Sequence, residues 1–329
     1  MDERTSDTGA GGGTAARQAL RVAVLVPCYN EAAAVAKVVA DFRAALPDAT
    51  IYVFDNNSSD DTAAIARAAG AVVRKETRQG KGFVVRRMFS DIEADVYVLV
   101  DGDATYDAPS APAMIDLLLR DHLDMVVGQR VDQEVAAYRA GHRTGNWLLT
   151  TFVATVFGPT FSDMLSGYRV FSRRFVKSFP MLSGGFEIET ELTVHALELG
   201  LAAAEIKTPY YARPAGSESK LNTWRDGFRI LWTIVQLYRS ERPFPFFGMI
   251  GAALAFISLV IAVPVIVTYF ETRLVPRLPT AILAMGLMLL AFLSIAVGLV
   301  LDTVSRGRRE MKLLAYLNHR APGEERRKG

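Results

Sequence analysis

Residues 96–106 read VYVLVDGDATY. Val96, Tyr97, Val98, Leu99 and Val100 form a short apolar run rich in β-branched and aromatic side chains. Bounded by turn residues, such a run has the pattern of a strand buried on both faces. It stops at Asp101-Gly102-Asp103. If strand geometry carries through the glycine, residues two apart leave on one side and both carboxylates point the same way. Neighbouring carboxylates repel each other unless a cation lies between them, and hard divalent ions prefer oxygen ligands. The same three residues also suit a polar turn that closes a buried strand. The rest of the chain decides between the two.

On the N-terminal side, Arg21–Val26 and Thr50–Phe54 have the same apolar character, and Ala71–Arg74 is a shorter third strand. Helices are predicted between them over residues 32–46, Thr62–Ala69 and 83–92, the second closed by Gly70. Beyond the opening stretch, Pro109–Arg120 reads as a helix and Met125–Val127 as a strand. Strands alternating with helices of this length imply a mostly parallel sheet with crossover helices. In such sheets ligands bind beyond the carboxyl ends of the strands. Pro27–Glu31, Asp55–Asp61 and Asp101–Asp103 all fall there, so three polar clusters converge on one edge.

Residues 128–222 carry polar islands among apolar runs: Gln129-Arg130, His142-Arg143, Asp163–Arg169 and Phe186–Glu191. Glu187–Leu199 reads as a helix closed by Gly200. Arg213–Lys220 is a loop with cations, hydroxyls and a glycine, which suits phosphate recognition and a solvated loop alike. From Asn222 to Tyr238, Trp224, Phe228, Leu231, Trp232, Val235 and Tyr238 recur at helical spacing with Arg225, Arg229 and Arg239 between them. That amphipathic pattern fits a membrane surface, or packing against its own domain.

Phe246–Phe270 and Thr280–Leu301 contain no charged residue, and each exceeds the ~20 residues that cross a bilayer. Pro264 is expected to kink the first. Arg239 and Arg242 precede the pair and Arg306, Arg308, Arg309 and Lys312 follow it, which by the positive-inside rule places both ends in the cytoplasm. The expected organisation is a disordered tail over 1–19, a catalytic domain over 20–222, an interfacial helix over 223–243, a hairpin over 244–303 and a basic tail over 304–329. Residues 1–19 lack the basic start and apolar run of a signal peptide. A net charge of +2 gives no argument for nucleic acid. The single cysteine, Cys28, excludes an intramolecular disulfide, fits a reducing compartment and reads as a packing residue. The four histidines show no metal spacing.

The order and spacing of these clusters, at successive strand ends, resemble the family 2 glycosyltransferases with a GT-A fold. Within these the chain is similar to the polyprenyl-phosphate subgroup, relatives of dolichol-phosphate mannose synthase with C-terminal membrane helices. Pro27-x-Tyr29-Asn30-Glu31 is similar to the first nucleotide-binding motif, and Asp55 stands where the base is usually read. Arg78-x-Gly80-Lys81-Gly82 and Asp101-Gly102-Asp103 match the next two. The resemblance implies that Arg130 and Arg143 hold the acceptor phosphate. It also implies that Arg213 and Lys220 lie near the nucleotide phosphates, and that Asp101 and Asp103 hold Mg²⁺ or Mn²⁺. Glu187 and Glu189 are candidates to orient sugar hydroxyls.

Three departures stand out: Asn56 replaces a frequent second Asp, Thr105 replaces a Gln in the subgroup's Asp-Ala-Asp-Leu-Gln, and Glu187-x-Glu189 replaces Gln-x-Glu. The Gln-x-x-Arg-Trp motif of processive synthases is absent. The resemblance implies a multi-pass protein of the inner (cytoplasmic) membrane, compatible with homo-oligomers. It would move a hexose-type sugar from a UDP- or GDP-linked donor to a polyprenyl monophosphate with inversion. Transfer to a lipid hydroxyl such as diacylglycerol is the alternative reaction, and it would need a base. A non-catalytic nucleotide-sugar-binding scaffold is the alternative from another class, and Asp101, Asp103, Arg130 and Lys220 together count against it.

Overall fold

A computed structural model describes residues 20–132, 161–180, 188–213, 232, 235–236 and 238–322. The predicted tail, Arg143, Glu187, Lys220 and most of the predicted interfacial helix lie outside the described residues. Within that helix, Trp232 and Val235 are described and exposed.

The strands are β1 (Val22–Cys28), β2 (Thr50–Asp55), β3 (Val72–Lys75), β4 (Val96–Leu99), β5 (Met125–Asp132), β6 (Arg169–Ser172) and β7 (Ala203–Tyr210). They form one sheet in the order β3-β2-β1-β4-β6-β5-β7. The helices of this part are α1 (Val35–Ala45), α2 (Thr62–Ala68), α3 (Lys81–Asp91), α4 (Ala111–Arg120), α5 (Arg173–Ser178) and α6 (Ile188–Leu199). The first four strands pair in parallel, as the alternating pattern predicts. The departure is β6, antiparallel to both β4 and β5. It is four residues long, opens on an arginine and closes on a serine, and all four are buried. Read along the chain, it lacks the alternation of a strand and begins inside a polar island.

The β4 run is buried on both faces because each face meets a separate core. Tyr97 and Leu99 pack with Val85 and Met88 of α3 and with Phe171, Phe175 and Leu192. Val96 and Val98 pack with Val38 and Phe42 of α1, Met114 and Leu118 of α4, and Tyr168. Helices therefore cover both sides of the sheet and leave its edges for chemistry.

The two apolar stretches form α7 (Pro243–Thr272) and α8 (Leu278–Leu317), each long and apolar enough to cross a membrane. They pack on each other through small side chains: Ser258 is buried and its hydroxyl donates to the Ala284 carbonyl at 2.7 Å, with Ala284 and Ala291 buried beside it. Pro264 lies inside α7, which continues through it as one helix. The predicted basic tail is not all tail: α8 runs beyond Leu301 as far as Leu317.

Candidate functional site

The loops that follow β1 and β2 are laced together. The Asn30 N–H donates to Ser58 Oγ at 3.0 Å, and Asn30 Oδ1 accepts the Ser59 N–H at 2.8 Å. Glu31 N–H donates to Thr62 Oγ1 at 2.9 Å, and Ala32 N–H to Asp60 Oδ2 at 3.1 Å. Asn30 has φ 53°, a left-handed conformation that asparagine tolerates. Pro27–Glu31 and Asp55–Asp61 thus meet as the motif order implies. Asp55 is buried at the end of β2 and accepts the Ser58 N–H at 3.3 Å.

Asn56, the departure from a second Asp, has a structural reason. Its Nδ2 donates to the carbonyls of Glu76 (3.1 Å) and Arg78 (2.7 Å), and its Oδ1 accepts the Gly80 N–H at 2.7 Å. A carboxylate has no proton for those two carbonyls. Asn56 therefore ties β2 to the loop that leads into Lys81.

The strand ends at Leu99, so strand geometry does not carry through Asp101-Gly102-Asp103. Residues 102–103 lie in a turn, and Ala104 has φ 58°. The carboxylates nevertheless stay close enough for the charge of Asp101 to act on Asp103. Two glycines make room here. A Cβ on Gly102 would lie 2.5 Å from Cys28 Sγ, and one on Gly167 would strike the Asp101 carboxylate. Cys28 is buried and packs under the turn.

Asp101 Oδ1 pairs with Lys81 Nζ at 2.5 Å, and the same ammonium pairs with Glu189. Burial alone would lower the Lys81 pKa, but the two carboxylates outweigh it and hold it above the usual lysine value. Asp103 is buried; its Oδ1 accepts from Thr105 Oγ1 at 2.6 Å and its Oδ2 pairs with Arg213 at 2.7 Å. Burial first, and then the charge of Asp101, raise the Asp103 pKa against the pull of Arg213. Thr105, where the subgroup has Gln, serves as a support for Asp103.

A divalent cation fits this donor set. It would offset both the burial of Asp103 and its repulsion by Asp101, and two carboxylates suffice where phosphate oxygens and water complete the shell. Among the described residues no group of three His, Cys, Asp or Glu side chains could hold an ion by itself.

Arg130, near the end of β5, is clamped by Asp163: Nε to Oδ2 at 2.7 Å and Nη2 to Oδ1 at 2.8 Å. Asp163 is itself fixed by its N–H to Glu205 at 3.0 Å. The Arg130 guanidinium lies over the Tyr210 ring, 5.6 Å from its centre. Arg169 is fully buried, donating to the carbonyls of Ser166 and Met164 and to Thr193 Oγ1, and its pKa is lowered to about 10 by that burial. It braces the turn that presents Asp163.

Lys81 thus ties Asp101 to Glu189 and Arg213 pairs with the neighbouring Asp103, with the Arg130–Asp163 clamp close by. Tyr106 and Tyr210 connect the two groups, and sequence reasoning missed them as site residues. Their rings pack at 5.3 Å between centres, and Tyr106 Oη accepts the Gly167 N–H at 2.8 Å. Burial raises the pKa of both phenols. Tyr106 stands in the opening stretch itself, three residues past Asp103, and its aromatic side chain after a polar turn was the available signal.

The family model of glycosyl transferase family 2 matches residues 23–179. Glycosyltransferase AglJ of Haloferax volcanii is 34% identical over 303 residues, covering 90% of this chain and 98% of that protein. The dolichyl-phosphate hexose transferase of the same organism is 28% identical over 221 residues, 67% of this chain and 95% of its own length. Among solved structures, glucosyl-3-phosphoglycerate synthase from Mycobacterium tuberculosis, in complex with Mn²⁺, UDP and glucosyl-3-phosphoglycerate, has a TM-score of 0.55 at 22% identity. That alignment covers 67% of this chain and 79% of the synthase, and it shows the shared GT-A fold. With a relative one-third identical over nearly its whole length and the motif residues gathered at one sheet edge, this chain belongs to glycosyl transferase family 2.

Proposed function

We propose that this glycosyltransferase moves a hexose-type sugar from a UDP- or GDP-linked donor to a polyprenyl monophosphate, with inversion, releasing the nucleoside diphosphate. The observation that carries the reading is the convergence of an acid pair, Asp101 and Asp103, with three cations, Lys81, Arg130 and Arg213, on a chain with two membrane-length helices. The relative named for dolichyl-phosphate hexose transfer supports the acceptor class.

In this reading Pro27, Tyr29, Asn30, Glu31 and Asp55 form the nucleotide cradle, and the laced loops hold it in shape before the donor arrives. Asp103, with Asp101 beside it, would hold Mg²⁺ or Mn²⁺, which as a Lewis acid offsets the charge developing on the leaving diphosphate. Arg213 moves from Asp103 to the diphosphate oxygens when the donor binds, joined by Lys220. Lys81 keeps Asp101 and Glu189 in register, and Glu189 with Glu187 orients sugar hydroxyls. Arg130, pre-aligned by Asp163, grips the acceptor phosphate together with Arg143. A phosphate monoester has its second pKa near ~6, so its oxygen is ionised at neutral pH and the site needs no strong general base. The hairpin holds the catalytic domain at the cytoplasmic face of the membrane.

The test is purified full-length protein offered a panel of nucleotide sugars with a short polyprenyl phosphate or the matching polyprenol. Transfer to the phosphate alone is expected. Equal transfer to the alcohol would overturn the proposed nucleophile.

A further inference from the structure

The uncharged part of α8 ends at Leu301, but the helix continues to Leu317. From Asp302 that extension is roughly 22 Å long at ~1.5 Å per residue. Its C-terminal end is docked on the catalytic domain. Lys312 Nζ donates to Glu198 Oε2 at 2.6 Å, and the Tyr316 hydroxyl to Asp124 Oδ2 at 2.9 Å. The Arg174 guanidinium lies 4.8 Å from the centre of the Tyr316 ring. Past the helix end, His122 Nδ1–H donates to the Pro322 carbonyl at 3.2 Å.

These are not loose surface contacts. Asp124 is fully buried, and it also accepts from Ser172 Oγ at 2.8 Å and from Arg174 Nε at 2.5 Å. The side chains of Lys312 and Glu198 are 18% and 9% exposed, so the pair is largely shielded from water and salt. The segment entering α7 is pinned at the same place. Arg308 Nη2 donates to the Ser240 carbonyl at 3.1 Å, and Glu241 lies against Glu198 with Lys312 and Arg308 nearby.

The grip falls on the sheet edge opposite the site. Asp124 immediately precedes β5, whose far end carries Arg130; Ser172 closes the antiparallel β6; Glu198 is in the last turn of α6. The first turn of α6 carries Glu189, which holds Lys81. A single helix therefore has the membrane element at one end and the candidate site at the other.

We propose that the extramembrane end of α8 is an orienting strut that sets the attitude of the catalytic sheet to the bilayer, with Glu198, Asp124, Lys312 and Tyr316 as positioning residues for a membrane-held acceptor. The proposal rests on the reading of the acceptor as a lipid phosphate. A chain linker keeps a domain near the membrane but leaves its orientation free, whereas a helix continuous with a span carries the span's direction into the domain. Orientation is what a reaction between a site and a lipid confined to a plane requires, and small misplacements cost up to ~10²-fold in rate.

The experiment uses the full chain in lipid nanodiscs with the double variant Lys312→Ala, Tyr316→Phe. Two acceptors are compared: undecaprenyl phosphate in the bilayer and water-soluble geranyl phosphate. The apparent KM for the bilayer acceptor is expected to rise about tenfold or more, while kinetics on geranyl phosphate stay within about twofold and report an intact fold. Equal loss on both acceptors, or no loss on either, overturns the strut. A second measurement needs no turnover. Spin labels at Asp61→Cys and Glu271→Cys should give a narrow distance distribution in the parent and a broadened one in the double variant; an unchanged distribution overturns the proposal. If the parent uses neither acceptor, the lipid-phosphate reading falls, and the spin labels still decide whether the strut sets the domain's attitude.

Discussion

Removing the Lys81 ammonium should leave two carboxylates facing each other in a site that shields them from water. The Lys81 side chain is 11% exposed, that of Glu189 7%, and that of Asp101 28%. Breaking a buried ion pair from one side costs ~3–5 kcal/mol, because the remaining charge keeps its desolvation penalty and loses its partner. Asp101 retains some water, so most of the penalty falls on Glu189 and the low end applies, about 3 kcal/mol for Lys81→Met. For a domain of roughly 150–250 residues each kcal/mol shifts Tm by ~2–4 °C, which puts the expected fall at about 6–12 °C. The assay is calorimetric unfolding of the full chain in detergent without nucleotide or metal, so loss of ligand binding does not enter. Glu189→Gln alone should cost little, because Lys81 keeps Asp101. In the Lys81→Met background the same change removes the stranded charge and should recover more than half of the loss. A Lys81→Met protein that unfolds within about 2 °C of the parent, or a double variant no better than Lys81→Met, would refute the reasoning.

Asp103→Asn should lower turnover by about 10²-fold or more and abolish nucleotide-dependent Mn²⁺ binding measured by electron paramagnetic resonance; undiminished Mn²⁺ uptake would dismiss Asp103 as a ligand. Arg130→Lys cannot reproduce the two-pronged contact with Asp163 or with a phosphate, so KM for lipid phosphate should rise while calorimetric nucleotide-sugar affinity holds, and a fall in the latter alone would reassign the residue. Burial, and then the charge of Glu198, raise the Glu241 pKa from 4.5 to about 7 against Lys312 and Arg308. Between those values the folded state holds a proton that the unfolded state has released, so this contribution to stability falls as pH rises and is lowest above about 7. Glu241→Gln should therefore raise Tm over the parent at pH 8 and change it little below pH 5; a difference independent of pH would exclude the shifted carboxyl.

Much of the site was legible because its chemistry is local. The apolar run of β4 announces a strand buried on both faces, and both cores it fills are there. Asp101-Gly102-Asp103, Asp55 and the Pro27–Glu31 motif sit at strand ends because the alternation of strands and helices leaves that edge open. The hairpin needed only length and the absence of charge. What escaped depends on partners far along the chain. β6 is a strand because β4 and β5 flank it, and its buried Arg169 reads as a polar island until the carbonyls of Met164 and Ser166 are seen around it. Asn56 looked like a lost acid and is a two-proton donor to carbonyls 20 and 22 residues on.

By itself, then, the amino-acid order determined the strand-end clusters, the membrane-length helices and the family resemblance, all set by side chains near one another in sequence. Tertiary structure alone decided that Lys81 joins Asp101 to Glu189, that Asp163 aims Arg130, and that the end of α8 grips Asp124 and Glu198. Charge pairing acts across space over a few ångströms, whereas these partners lie 20, 33 and more than 100 residues apart along the chain.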